Sequence, residues 1–561
     1  MDSNNSKNFF QKYYGYIILI IIVIISFIYQ IFLFSLYPYS YGVDGAYYNL
    51  NVINILETGQ MWANDNPFVF YYFSFYALFL DVTLAIKIGI VSLISLIPIP
   101  IYFLIKKFTK NEMSALFAAL LSTFNPLLFR LAGDFVKNAA GVLFLLCFIY
   151  FFIIACEKKH SIKKSFLLFG ITYAIFILIV FTHIYPTGFA VSFIFLYFIY
   201  AIIYSLVKER KFPWIETKIV LFLGISASLT ITIGYFLNPA FFNHFSKIFS
   251  FISGLFDFII SFNIKQPSIP NMFFIDPLLL MILISITIIG TIIIIYDLIK
   301  KRTSKPILQF FAFAMILYLP VFLIYPNISQ YATGFMMPPN PIINFLSILT
   351  TFPMTCGIAL ICFEIYKINS KTSIQNRIIG IIIAIFIMSV LLALPFIPMD
   401  YRSRFSFMNF VPAALLMGYS IKNLNIGKRK IFALIIIVFF SSSFIIQTNY
   451  FCNYSFRPVL TKQGEIDLLY FKNYVDSNSS LSGSIAIIQN LGIYYFTILI
   501  TGIESKKSGD SDDIAKEYNE TVFLVIEKMG QPITIKPGQQ VIRNESNGQL
   551  VIILANYTFH D

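Results

Sequence analysis

Charge is scarce in this 561-residue chain: only 12% of its residues are Asp, Glu, Lys or Arg. Soluble domains average about a quarter charged residues, so a water-soluble enzyme of this size is excluded. Hydrophobic residues make up 58%, which excludes a disordered chain, because disorder needs low hydrophobicity and high charge. Cysteine is scarce as well. Of five cysteines, Cys147, Cys156, Cys356 and Cys362 fall in apolar runs and Cys452 stands alone, so neither a disulfide framework nor a cysteine metal cluster is indicated. Short alternating segments, the mark of a transmembrane barrel, are missing too. The apolar runs last about 20 residues, the length of a membrane-spanning helix.

The fold class that remains is an all-α polytopic membrane domain. The net charge of +13 invites a nucleic-acid reading, but the basic residues are placed for topology. They gather in every second short loop: Lys106, Lys107 and Lys110; Lys158, Lys159, Lys163 and Lys164; Lys208, Arg210 and Lys211; Lys300, Lys301, Arg302 and Lys305; Lys428, Arg429 and Lys430. This is the positive-inside bias, and no nucleic-acid partner is expected. Spans are predicted at 14–36, 82–105, 114–130, 139–156, 166–182, 187–206, 218–236, 273–298, 306–324, 341–366, 378–397, 405–423 and 431–447, about thirteen transmembrane helices. The N-terminus is then inside and the C-terminus outside.

Residues 1–447 are read as the membrane domain and 448–561 as a small extracellular α/β domain, where polar residues return. LTKQGEIDLLYFKNYV reads as an amphipathic helix, and SIAIIQ, TVFLVIEK and QLVIILANY read as strands. Asn547-Gly548 is a hairpin signal. Sequons at Asn327, Asn453, Asn478, Asn519, Asn544 and Asn556 fit an external face.

Polar groups on the outer side are not explained by charge sorting, and candidate chemistry is sought there. The first outer loop, about 37–68, carries Asp44 between Gly42 and Gly45, which let backbone approach a ligand closely. Tyr47, Tyr48, Val52, Ile53 and Leu56 trace an amphipathic helix that stops at Gly59. A simple N-terminal cap is the alternative role for Asp44. The second outer loop, Arg130 to Asn138, places Arg130, Asp134 and Lys137 between two apolar spans, where charges are costly unless paired or used. An Asp134–Lys137 pair at i, i+3 is the plain alternative. Arg402 and Arg404 lie on the outer side against the charge rule, and their guanidinium forks suit phosphate oxygens; snorkelling at a helix end is the alternative. His183, at an outer span end, can hydrogen-bond a polar ligand or simply be satisfied by neighbours. Together these groups suit a ligand with a phosphate at headgroup level and an apolar tail in the bilayer.

The stretch Gly42-Val43-Asp44-Gly45-Ala46-Tyr47-Tyr48, followed by Ile55-Leu56-Glu57-Thr58-Gly59, resembles the first outer loop of the C-type glycosyltransferase superfamily, integral membrane enzymes that use polyprenyl-phosphate or polyprenyl-pyrophosphate sugars. The resemblance implies a catalytic acid at Asp44 and a second acid at Asp134. It implies that Arg402 and Arg404 contact the donor phosphate; by its charge Lys137 is expected to join them, and Tyr47, Tyr48 and His183 are expected to contact substrate. Asp134 is expected either to bind a divalent cation, Mg²⁺ or Mn²⁺, together with Asp44 or to position Lys137. The span count with an outer tail looks like oligosaccharyltransferase catalytic subunits, while the Asp-x-x-Tyr-Tyr pattern is closer to protein mannosyltransferases. The tryptophan-rich acceptor motif of the former is missing: Trp62 and Trp214 are the only tryptophans. The loop 325–340 also lacks the acid expected there. The expected function is transfer of a sugar from a polyprenyl-phosphate-linked donor to a glycan, lipid or protein acceptor at the outer face of the cell membrane, with membrane lipids as surroundings. A transporter or lipid-linked oligosaccharide flippase is the competing class. It would carry charges near the bilayer midplane, whereas these spans carry theirs near the ends.

Overall fold

The structure is a computed structural model. It describes chiefly residues 2–157, 162–237, 277–300, 353–361, 410–422, 429–454, 458–481, 483–507, 521–528 and 539–555. Arg402, Arg404 and most of the expected spans 306–324, 341–366 and 378–397 lie outside the described residues.

Among the described residues, six helices are long and apolar enough to cross a membrane, and a bent pair of shorter helices makes seven if it counts as one span. The first is Tyr13–Phe34, within helix α1 (Asp2–Phe34). Two short helices of the loop read in the sequence as the first outer one follow, α2 (Gly45–Thr58) and α3 (Phe68–Ala77). The second crossing, Val82–Thr109, is built from α4 (Val82–Ile94) and α5 (Pro98–Thr109).

The expected span 114–130 is instead two helices, α6 (Glu112–Phe124) and α7 (Pro126–Asp134), bent by 46°. Pro126 has no N–H to give to α6, and Asn125, in extended backbone, turns the chain by accepting from Leu127 N at 2.9 Å. The supposed second outer loop is therefore mostly helical, with only Phe135 between α7 and α8 (Val136–Ala155).

Helices α9 (Ile162–Thr182), α10 (Ile184–Tyr204) and α11 (Trp214–Leu237) come next. Then follow α12 (Pro277–Lys300), α13 (Phe410–Ser420) and α14 (Arg429–Tyr454), whose helix runs past residue 447. The bundle core is aromatic and aliphatic, with Tyr102, Phe117, Phe148, Phe152, Phe193 and Tyr197 wholly enclosed. Small residues let α13 lie against α6: a Cβ on Gly418 would stand 2.6 Å from the Ala118 methyl.

The tail forms helix α15 (Lys462–Asp476), strand β1 (Ile485–Ile488), helix α16 (Leu491–Thr501) and strands β2 (Glu504–Lys506), β3 (Val522–Glu527), β4 (Gln539–Arg543) and β5 (Leu550–Ala555). The sheet order is β2-β1-β3-β5-β4. Strand β1 runs parallel to β2 and β3, while β5 runs antiparallel to β3 and β4. Residues 544–549 join β4 to β5, so a hairpin forms where the sequence predicts one, but through a longer connection: Gly548 N donates to Glu545 O at 2.9 Å, which puts Ser546 and Asn547, not Asn547 and Gly548, at the centre of the turn. Helix α16 was not anticipated. Asn490 caps it by accepting from Gly492 N and Ile493 N, and Gly502 ends it with φ 72°.

The tail sits directly on the first outer loop. Ala46 is buried in the tail's own apolar cluster beside Ile493 and Phe496, with Tyr39, Tyr47 and Leu50 packed against it. Gly42 pairs with Pro458 in a single parallel bridge. Tyr39 Oη donates to the Glu465 carboxylate. The loop carrying Asp44 thus lies between bundle and tail, with Val43 still exposed.

Candidate active site

The loop makes its approach at Gly42. Its φ is +71°, a left-handed conformation, and an added Cβ would stand 2.7 Å from Gly133 O and 3.0 Å from the Asp134 Cα. Only a glycine lets the loop press this closely on the end of α7. The contact brings Asp44 into the electrostatic reach of Asp134. Asp44 occupies the N-cap position of α2, yet its carboxylate makes no cap hydrogen bond. Helix α2 ends as predicted at Gly59, whose N–H donates to Ile55 O at 2.9 Å.

Asp134 is held by Arg130 one turn earlier, with Nε 2.5 Å from Oδ2. Lys137 is not its partner. The Phe135 break (φ −133°, ψ 58°) separates α7 from α8, so the i, i+3 geometry of one continuous helix is lost across it. Lys137 instead forms an ion pair with Asp65 of the first outer loop. Its Nζ lies 5.8 Å from the Tyr47 ring centroid and 5.6 Å from that of Phe70. Tyr47 Oη completes the group by donating to Asp65 Oδ2 at 2.8 Å. Burial pushes the Asp65 carboxyl up, but the Lys137 charge and hydrogen bonds from Lys137, Tyr47 and the Asn66 backbone outweigh it and hold the group at about 2. Burial and then the Asp65 charge raise the Tyr47 phenol well above its ordinary value.

Tyr48 is buried and stacks on Phe70 at 5.5 Å. His183 caps α10: its Nδ1 accepts from Tyr185 N at 3.3 Å and its ring stacks on Tyr185. The nearby outer end of α9 is tied to the first loop by a 2.7 Å bond from Asn66 Nδ2 to Val180 O. Of the residues singled out in the sequence, the structure gathers Asp44, Asp134, Tyr47, Tyr48 and Lys137, and gives His183 a capping duty at an adjoining helix end.

Three participants were missed. Asp65 offered only an acid in an Asn-rich outer stretch. Tyr495, on the unforeseen helix α16, packs 5.2 Å from the Tyr47 ring. Burial raises its phenol to about 12, with the Asp44 charge the next contributor. Lys87 lay inside a predicted span as the single charge of VTLAIKIGIV, and that isolation was its signal.

Asp44 and Asp134 are near enough for their charges to act on each other; among the described residues no group of three or more His, Cys, Asp or Glu could hold a metal. A hard cation such as Mg²⁺ is commonly bound through one or two carboxylates plus substrate phosphates and water. Two converging carboxylates fit that donor set.

Neither a known protein family nor a curated protein sequence matches the chain. Solved structures do. The oligosaccharyltransferase of Archaeoglobus fulgidus in its apo form superposes with a TM-score of 0.58 at 12% identity, covering 93% of this chain and 70% of that one. The same enzyme tethered to an acceptor peptide with an NVT sequon gives 0.56 at 13% identity, with the same coverage. Its complex with Zn and sulfate gives 0.59 at 12% identity, covering 91% and 68%. The chain therefore has the fold of a C-type glycosyltransferase, in agreement with the resemblance carried by residues 42–59.

Proposed function

We propose that this chain is a multi-pass membrane glycosyltransferase that moves a sugar from a polyprenyl-phosphate or polyprenyl-pyrophosphate donor to an acceptor at the outer membrane face. One observation carries the reading: Gly42 brings the Asp44 loop onto the Asp134 end of α7, at the level where the spans emerge and beneath the tail. A lipid carrier's headgroup arrives at that level while its chain stays in the bilayer.

In this reading Asp44 accepts the proton of the acceptor's attacking hydroxyl, or orients that hydroxyl. The oxygen displaces the lipid phosphate in line at the anomeric carbon: the new C–O bond forms as the old sugar–phosphate bond breaks. A positioned base contributes roughly 10²–10⁴-fold. Arg130 holds Asp134 in place. A Mg²⁺ or Mn²⁺ ion between Asp44 and Asp134 would supply charge stabilisation to the leaving phosphate. Arg402 and Arg404 are proposed to receive the same phosphate. The phosphate role first assigned to Lys137 is not retained, because its ammonium is engaged by Asp65 beneath two aromatic rings. Glycan, lipid and protein hydroxyls all meet the chemical requirement for the acceptor.

The test is sugar transfer by the purified chain in lipid nanodiscs, supplied with a radiolabelled polyprenyl-phosphate hexose and a mixed acceptor extract. Asp44→Asn should lower transfer by at least about 100-fold while the folded protein and donor binding persist. Undiminished transfer by Asp44→Asn would overturn the reading.

A further inference from the structure

Lys87 is 6% exposed and sits on α4 within the crossing Val82–Thr109. Ionisable residues at such depth are expensive and call for a named partner. The partners are backbone: Nζ donates to Tyr37 O at 2.5 Å and to Pro38 O at 3.2 Å, and lies 5.5 Å from the Tyr41 ring centroid. These carbonyls belong to the chain leaving α1. Pro38 disfavours helix at Tyr37 and carries no N–H of its own, so this stretch cannot continue the ladder of α1.

One turn before Lys87, on the same face of α4, Thr83 Oγ1 accepts from Asn49 Nδ2 at 2.8 Å. Asn49 lies on α2, and its Oδ1 accepts from Ser40 Oγ at 2.6 Å. Two points on one face of α4 therefore grip the loop on both sides of Asp44: Lys87 upstream at 37–38, and Thr83 downstream through Asn49. Gly42 pressed on Gly133 closes the third side. A small cavity lined by Lys87, Ser40, Gly45, Tyr48 and Gly133 lies inside this frame.

We propose that Lys87 is a positioning residue of the transfer site, which sets the depth and direction of Asp44 by clamping the carbonyls at the start of the first outer loop. This rests on the role given to Asp44 above. Without the ammonium, the loop gains room to settle into the adjoining cavity, and the carboxylate moves off the line of attack. Misplacement by about 1 Å can cost about 100-fold in rate.

The experiment uses the full chain in nanodiscs. Two readouts are taken on Lys87→Met and Lys87→Arg: the kcat and donor KM of sugar transfer, and the labelling rate of a cysteine placed at exposed Val43 by a membrane-impermeant maleimide. Lys87→Met should lower kcat roughly 100-fold with donor KM within about threefold, and shift the Val43→Cys labelling rate severalfold. Lys87→Arg, which keeps the cationic donor, should restore both substantially. Unchanged kcat and labelling in Lys87→Met would overturn the proposal. So would equal loss of thermal stability and activity in both variants, which assigns Lys87 to bundle stability alone. Labelling needs no turnover, so an inactive wild type removes the reading of Asp44 while the Val43→Cys rate still judges Lys87.

Discussion

The Asp65–Lys137 pair is a perturbation whose size follows from its surroundings. Both side chains are 13% exposed, and the ammonium lies between two aromatic faces. Asp65→Asn leaves Lys137 charged without its counterion in a poorly solvated place. Removing one member of a buried pair costs about 3–5 kcal/mol. The carboxyl's fall from 3.8 to about 2 corresponds to about 2 kcal/mol of ionisation-linked stability, so the lower part of the range, about 3 kcal/mol, is expected. The folded carboxyl is the stronger acid, so this stability is complete above pH 3.8 and fades as pH falls towards about 2. Wild type and Asp65→Asn should therefore differ by a constant amount at neutral pH and converge below pH 3.8.

The assay is a double-mutant cycle on purified protein, with reversible denaturant unfolding of wild type, Asp65→Asn, Lys137→Met and the double variant. A coupling of about 2 kcal/mol is expected, because neighbours in one network do not add. Kinetics supply a second arm. With Lys137 engaged by Asp65, both single variants should lower transfer through the disturbance of Tyr47, whose hydroxyl shares the same carboxylate. Additive stabilities within about 0.5 kcal/mol, together with a donor KM raised by Lys137→Met alone, would refute the reasoning and return Lys137 to the phosphate.

Three further outcomes follow from the geometry. Gly42→Ala places a methyl 2.7 Å from Gly133 O at a φ of +71°; transfer should fall at least about 100-fold with tail and bundle still folded, as read by limited proteolysis. His183→Asn should keep the α10 cap and wild-type transfer, whereas His183→Ala should cost about 1 kcal/mol of stability without changing donor KM; a raised KM in both would restore a substrate contact. Asp467 is fully buried, accepts from Arg543 Nε at 2.7 Å and takes Leu550 N at 3.0 Å. Asp467→Ala should destabilise the tail by about 3–5 kcal/mol, seen as faster hydrogen exchange of β4 and β5 ahead of the bundle.

What was legible in the sequence is what depends on neighbours along the chain. The crossings at 14–36, 139–156 and 166–182, the helix stopped at Gly59 and the strands on either side of residues 544–549 rest on local hydrophobic period, and the described residues fold accordingly. The break at Asn125-Pro126 was also written in the sequence, but an uninterrupted apolar run masks a proline at N1 in a simple hydropathy reading. Partner choice was not legible. Asp134 had both Arg130 and Lys137 within one helical turn, and the Phe135 break, a tertiary outcome, decided for Arg130. Lys137 found Asp65, far away in sequence, because α8 begins beside the first outer loop. Helix α16 was missed for a related reason: LGIYYFTILIT is apolar on all sides, and its helical form shows only when Asn490 caps it and α2 lies against it.

In the proposed reading, the buried charges around the first loop explain why this loop, and not another, would carry the chemistry. A lone carboxylate at this depth would take up a proton or turn to solvent. Here Asp134 is met by Arg130 and Asp65 by Lys137, while Lys87 spends its hydrogen bonds on the carbonyls that lead to Asp44. Each of these cations answers a nearby acceptor, and under the proposed function such fixed groups would need little rearrangement when charge develops on a departing phosphate. Preorganised charge of this kind is usually the largest single contribution to enzymatic rate. The same logic ties the tail to the site: Tyr495 brings a buried hydroxyl into the field of Asp44 and packs on Tyr47, which holds Asp65. A chain ending before β1 would lose Tyr495 and expose Ala46 and Tyr47, and its carboxylate loop would keep only the membrane-side half of its frame.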